Sequence, residues 1–282
     1  DFVKLEKNKN FNNIHTLVKA MDTNLQNIKN SANDFSKWDE TYDFINNTNK
    51  NYLYDNFREG TSTLEDLDVD FILFSNLKNQ VIFSKYSSKV KDLVKDKVKF
   101  EENIYINLRK TLAQSTIFKY KSYVFYLIKS EILRSDKTGN VSGHIYSGKV
   151  IKNEDLSRIT KVFKRISITQ KHNNEYDLSL ALEHLKKIES KVTLDSKSIN
   201  NNIQFYDERN RYIFSILTTS DIQIISNGKK TILSFNLILA ILLFIICYFI
   251  YKNQNILEEY NIKLERKVSK RTELLSLTLR QL

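Results

Sequence analysis

The stretch Trp38-Asp39-Glu40-Thr41-Tyr42-Asp43-Phe44-Ile45 sets an indole, a carboxylate and a phenol close together. Trp38 offers a face for stacking, Asp39 a partner for a cationic or hydroxylated ligand, and Tyr42 a hydroxyl for a hydrogen bond, which together suit a small-molecule pocket. The same residues carry a second reading. Trp38 and Tyr42 are a turn apart and can pack a helix against a sheet, while Asp39 or Thr41 caps or bonds neighbouring backbone. Arg109, Tyr123, Tyr126 and Lys129 join the ligand-binding candidates by position, around a strand expected at the centre of the chain.

Catalytic chemistry finds little to work with. His15, His144, His172 and His184 show no helical metal spacing with a carboxylate partner, and the one cysteine, Cys247, cannot build a thiolate site. There is no phosphate-cradling glycine loop and no Gly-x-Ser-x-Gly elbow. The expectation is a chain with no catalytic residues, no metal and no cofactor. The net charge of +11 is dispersed through Asn-rich and Glu-rich stretches without interleaved aromatics, so it points to a solvated basic surface near anionic lipid rather than to nucleic acid.

The elements that must position these residues are legible as changes of rhythm. Phe11, Ile14, Val18, Met21, Leu25, Ile28, Ala32 and Phe35 alternate spacings of three and four, the mark of one face of a long helix. Leu178, Ala181, Leu185, Ile188, Val192 and Ile199 repeat that rhythm and predict a second helix. Between them the pattern is of strands. Asp70 to Phe74, a polar Asn76 to Gln80 break and Val81 to Phe83 read as a hairpin. Ser122 to Leu133 and Val141 to Val150 follow, joined by a reversal that uses Gly139. Ile203 to Tyr206 and Tyr212 to Leu217 form a further pair, and a helix capped by Asn153 begins with Glu154 and Asp155 in its first turn. Zero prolines and five glycines fit long helices and few tight turns. The fold class is α+β: a long N-terminal helix with an antiparallel sheet, then a membrane helix and a cytoplasmic coiled-coil helix.

Thr231 to Tyr251 is a run of 21 residues without a charged side chain. As a helix it is roughly 30 Å long, the thickness of a bilayer's hydrocarbon core, and cores seldom use helices apolar on every face. Six cations lie in the 20 residues after it and three in the 20 before, so the tail is expected in the cytoplasm and residues 1–230 outside it. Reaching that side calls for a signal anchor ahead of Asp1, so the chain reads as a piece of a longer protein. Leu257, Asn261, Leu264, Val268, Arg271, Leu275, Thr278 and Leu282 keep heptad spacing, which predicts a two-stranded coil or, otherwise, an amphipathic helix on the membrane surface.

The Trp38 to Ile45 string, followed by Tyr52, Asn56 and the hairpin from Asp70 to Ser84, resembles the fourth type of CHASE domain. The resemblance covers roughly residues 1–170, Tyr123 to Val150 standing as the closing hairpin. It implies an extracytoplasmic, Cache-like and PAS-related sensor module of a membrane receptor. Asn76 to Gln80 departs from the Asp-Gly common in Cache-like hairpins. Leu264 to Leu275, with Lys270-Arg271-Thr272 at its core, resembles the signalling-helix linker that joins such receptors to a histidine-kinase or diguanylate-cyclase domain. The implied order is a sensor domain over 1–170, a membrane-proximal helix and strand pair over 171–230, a transmembrane helix over 231–251 and a cytoplasmic signalling coil over 252–282. The implied partners are an unknown small-molecule or protein signal, the lipid bilayer of the inner (cytoplasmic) membrane, and a second copy in a homodimer. A membrane-tethered adaptor that grips a partner protein outside the cytoplasm is the alternative.

Overall fold

The computed structural model describes residues 2–47, 50–109, 114–136, 139–170, 172, 175, 177–182, 185, 187–195, 197–207 and 209–281, with backbone only over 107–109, 274–275 and 277–281. Residues 4–222 form one compact unit, and residues 223–282 with the first three residues form another. The elements run α1 (Phe2–Phe35), α2 (Asp39–Asn47), α3 (Lys50–Phe57), α4 (Thr63–Asp66), β1 (Phe71–Asn76), β2 (Val81–Tyr86), α5 (Ser88–Lys91), α6 (Lys97–Arg109), β3 (Ser115–Tyr120), β4 (Tyr123–Ile132) and β5 (Gly143–Val150). They continue with α7 (Asn153–Ile159), β6 (Arg165–Thr169), β7 (Leu178–Leu180), β8 (Lys187–Leu194), β9 (Ser198–Tyr206), β10 (Tyr212–Asp221) and α8 (Ile224–Gln281).

Two five-stranded antiparallel sheets fill the larger unit, in the orders β2-β1-β5-β4-β3 and β6-β10-β9-β8-β7. Counted within each sheet these are 2-1-5-4-3 and 1-5-4-3-2, so the sheets share a central arrangement and differ in which edge the second strand occupies. On one face of the first sheet Phe71, Leu73, Phe125, Leu127 and Tyr146 pack with Val90 of α5 and with Phe100 and Ile104 of α6. Gly148 lies directly under the Phe71 ring: a β-carbon there would stand 2.5 Å from Phe71 Cζ and 2.5 Å from the Tyr126 carbonyl oxygen. Alternation sends Ile72, Phe74, Tyr126, Ile128 and Ser130 to the other face. Phe74 is ringed there by Phe35, Phe44, Tyr52 and Phe57 at centroid distances of 5.5–6.4 Å.

Helix α1 runs along both sheets. Its buried positions are Glu6, Asn10, Ile14, Leu17, Val18, Met21, Leu25, Ile28, Ala32 and Phe35, a stripe that hides one face of an amphipathic helix. Toward its C-terminus, Ser130 Oγ of β4 donates to Asn33 Oδ1 at 2.8 Å and the Leu133 amide donates to the Ser36 carbonyl at 3.3 Å. Toward its N-terminus, Asn10 and Asn201 of β9 exchange amide hydrogen bonds of 2.7 and 3.1 Å, and Asn201 Nδ2 also donates to Thr218 Oγ1 of β10 at 2.8 Å. The Leu185 amide donates to Asp22 Oδ1 at 3.1 Å.

Several sequence expectations are met: the long first helix, the hairpin β1–β2, the pair β4–β5 with Gly139 at φ +83°, and the pair β9–β10. The hairpin turn uses a substitute for the missing glycine. Asn79 takes φ +59°, and Asn76 Oδ1 accepts from the amides of Lys78 and Gln80, both at 3.0 Å. Other expectations are corrected. The antiparallel sheet is two sheets, and β3 and β6 carry strand signals that the sequence reading passed over. The helix expected over 178–199 is instead β7, β8 and the start of β9. Ile188 and Val192 are four apart, a spacing shared by one helix face and one strand face; in β8 the buried Ser190 between them completes the strand face. Asn153 is the first residue of α7 rather than its cap: the preceding residue is Lys152, and Asn153 Oδ1 accepts from the Ile168 amide at 2.9 Å. Phe11, expected at the head of the buried stripe, is half-buried, and Asn10 takes that place.

In the smaller unit α8 is one continuous helix of 58 residues. It is long and apolar enough to cross a membrane, and every described side chain from Thr231 to Glu273 is exposed. The segment expected as a separate coiled coil is the continuation of this helix, and of its heptad positions Leu282 lies outside the described residues.

Candidate functional site

Where the first sheet ends, the chain must tie off three strands, and a buried carboxylate does so. Asp70, 5% exposed, precedes β1. Its Oδ2 accepts from the Val150 amide at 3.0 Å, its Oδ1 from Ser87 Oγ at 3.1 Å, and its backbone bonds both Gly148 and Ser87. Beyond this knot opens a cavity of about 810 Å³, bounded by the Arg58–Thr61 loop, α4, the ends of β2 and β5, and α7. Its wall mixes charges of both signs. Lys149 is engaged with Asp68 at 2.6 Å and Lys85 donates to the Phe57 carbonyl at 2.8 Å; the Arg58 guanidinium lies over the Tyr54 ring, 4.9 Å from its centre.

A smaller cavity of about 190 Å³ adjoins it, sharing Lys149, Val150, Asp155 and Arg158. Asn24 of α1, Tyr126 of β4, and Ile151, Leu156 and Ile159 complete its lining. Tyr126 is 4% exposed, and its hydroxyl has no hydrogen-bond partner among the described residues. Burial drives its pKa above the ordinary phenol value, with the negative charges of Asp155 and Asp22 adding to the effect. A hydroxyl held in this way stays protonated, ready to donate or accept one hydrogen bond to a guest in the cavity.

Among the described side chains, the expected site residues do not converge. Trp38, Asp39 and Tyr42 stay together around the start of α2, where Asp39 and Tyr42 fasten this helix to the segment after β4. Trp38 is 47% exposed and leans on Phe35 at 4.9 Å. Asp39 accepts from the Ser135 amide and Ser135 Oγ, both at 3.0 Å, and these bonds hold its carboxyl below the usual range. The Arg134 guanidinium covers the Tyr42 ring at 4.6 Å and reaches Asp43 at 3.4 Å. Thr41 is buried, its hydroxyl bonded to the Phe35 carbonyl and to Tyr52. Tyr123 lies exposed at the start of β4, and Lys129 sits half-buried near His144, whose pKa is lowered by burial and then by that lysine. The side chain of Arg109 lies outside the described residues, as does His184.

Among the described side chains of the expected set, only Tyr126 lines the cavity. Asn24, Asp155 and Arg158 were not singled out as site residues, since nothing local marks them; Asp155 and Arg158 carried only the signal of being three apart on one helix face. The cavity offers a hydroxyl, two charged side chains of opposite sign on α7 and an aliphatic lining to a guest. Among the described residues no group of three His, Cys, Asp or Glu side chains is placed to hold a metal ion.

Two crystal structures of the Vibrio cholerae LuxQ periplasmic domain align over 75% of this chain, at 13% and 11% identity with TM-scores of 0.49 and 0.48, covering 97% and 99% of those chains. The extracellular domain of vpHK1S-Z8, assigned as a histidine kinase, aligns over 80% of this chain and 95% of its own, at 10% identity and a TM-score of 0.47. A search of curated proteins finds no match. The CHASE4 domain profile matches residues 20–168, from the middle of α1 through β6. With more than half of its length matched in this way, the chain belongs to the CHASE4 domain family.

Proposed function

We propose that this chain is the extracytoplasmic sensor and signal-transmitting portion of a dimeric bacterial receptor. The observation that carries the reading is a CHASE4 match over residues 20–168 followed, after strands β7–β10, by a long helix apolar enough to span a bilayer. Residues 231–251 cross the cytoplasmic membrane, with the cation-rich flank inside. Residues 252–282 pair with those of a second copy as a two-stranded coil, whose polar seam residues Asn261 and Arg271 allow more than one register. An output domain follows, a diguanylate cyclase or a histidine kinase, and the CHASE type favours the cyclase.

The route for a signal is contiguous. A guest in the smaller cavity meets α1 at Asn24 and the first sheet at Tyr126. A shift of α1 reaches the second sheet through Asn10 and Asn201, and β10 of that sheet is joined to α8 by Ile222 and Gln223 alone. A ligand that binds one arrangement of α1 more tightly than another biases the pair of membrane helices accordingly.

Disulfide scanning with single cysteines from Asn261 to Leu282, in a Cys247→Ser background, tests the proposal. Heptad-spaced crosslinking that changes with the sensed signal is expected. Profiles that are identical with and without the signal refute transmission. Protease digestion of intact spheroplasts tests the topology: protection of residues 1–230 with loss of the tail contradicts the orientation.

A further inference from the structure

We propose, resting on the receptor reading above, that the smaller cavity takes a zwitterion of amino-acid size, its ammonium on Asp155, its carboxylate on Arg158 and a side-chain hydrogen-bonding group on Tyr126. Three features of the cavity lead there. The first is the Tyr126 hydroxyl, 4% exposed, facing open space and bonded to no described residue. Buried hydroxyls are nearly always paired, and this unpaired one lines a cavity in which a guest can complete the set. The second is the rim. Asp155 and Arg158 stand three apart on α7, on one face of the helix, with opposite charges. Neither is hydrogen-bonded or ion-paired to another described residue, whereas the neighbouring Lys149 is held by Asp68 at 2.6 Å. Asp155 is half-buried and Arg158 exposed, so both charges are open to a guest arriving from solvent; a simple anion or cation engages one of them, and a zwitterion engages both.

The third feature is size and wall. Val150, Ile151, Leu156 and Ile159 give the cavity an aliphatic lining. The volume of about 190 Å³ greatly exceeds one water's share of roughly 30 Å³. The lining suits a short carbon skeleton with a polar tip. Asn24 brings α1 to the same space, so occupancy acts on the helix that touches both sheets.

The full chain in lipid nanodiscs is titrated calorimetrically with each proteinogenic L-amino acid, alongside Asp155→Asn, Arg158→Gln and Tyr126→Phe. At least one amino acid is expected to bind saturably, while its amide and N-acetyl derivatives, which lack one charge each, do not. Asp155→Asn and Arg158→Gln abolish binding; Tyr126→Phe weakens it by about tenfold, the worth of one hydrogen bond. Thermal melts of the unliganded variants establish that they fold, and Tyr126→Phe, which loses only an unpaired hydroxyl, melts no lower than wild type. Binding of no amino acid, or binding unchanged in both Asp155→Asn and Arg158→Gln, overturns the proposal. Either result leaves the crosslinking and topology tests of the receptor reading untouched, so the ligand class and the receptor reading fail separately.

Discussion

Asn10 and Asn201 form the polar clasp between α1 and the second sheet, and their reciprocal bonds can be measured by a double-mutant cycle. Both residues are nearly inaccessible, at 3% and 2% exposure, and three hydrogen bonds of 2.7, 3.1 and 2.8 Å link them with Thr218. Asn10→Leu removes two bonds and strands Asn201 Oδ1 in an apolar setting, a loss of about 1–3 kcal/mol. Asn201→Val strands both polar atoms of the Asn10 amide and releases Thr218, a loss of about 2–5 kcal/mol. Removing both amides leaves only the Thr218 hydroxyl short of a partner, so the double variant should lose about 1 kcal/mol, less than the sum of the singles. Urea unfolding of the full chain in detergent, followed by tryptophan fluorescence of the single Trp38 and by circular dichroism, supplies the four free energies. Strictly additive losses would refute the clasp, because a pair that does not interact has no coupling to recover.

Gly148→Ala should destabilise by about 1–3 kcal/mol, because its methyl meets the Tyr126 backbone as well as a movable ring; an unchanged urea midpoint would contradict the packing of Phe71. Leu25→Ala, in the centre of the α1 stripe, should cost about 2–5 kcal/mol by the same assay. The Asp207 carboxyl is pushed up by burial, yet bonds from the Arg211 amide at 2.8 Å, the Arg211 side chain at 2.7 Å and the Arg209 amide at 2.9 Å hold it below the usual range. Its folded pKa lies under its unfolded value, so its contribution is whole above the ordinary carboxylate range and fades as pH falls through it, between about pH 5 and 2. Melts across that interval should therefore show a shallower acid slope for Asp207→Asn. Leu242→Lys places a charge mid-span and should raise the cost of insertion by about 3–4 kcal/mol, read by glycosylation mapping; unimpaired insertion would count against the membrane segment.

The parts of the fold that were legible in the sequence are those where one periodicity excluded the other. Alternating threes and fours over α1 fit no strand, and Phe71 to Phe74 with Val81 to Phe83 fit no helix. In β8 and β9 the inward set includes Ser190 and Asn201, both buried, so a hydrophobic pattern saw only every second inward residue and mistook the interval for a helical turn. Polar Glu6 and Asn10 hid the start of the α1 stripe for the same reason. The cavity escaped more completely: Asn24, Tyr126 and Asp155 come from three separate elements, and their convergence is a product of tertiary packing. Trp38 and Asp39 drew attention by chemical type, yet Asp39 is engaged by Ser135 and Trp38 lies against Phe35, partners that are local to the start of α2 and the segment after β4.

Because α1 is a single unbroken helix, its anchor points at Asn10 and Asn33 are separated by about 35 Å of axis at roughly 1.5 Å per residue. Held at one anchor as a pivot, it acts as a lever: a tilt of about 3° carries the other anchor by about 1.8 Å over that arm. Displacements of this order are the ones that repack interfaces between helices, so a rearrangement too small to disturb either sheet can still be felt at the far end of the rod.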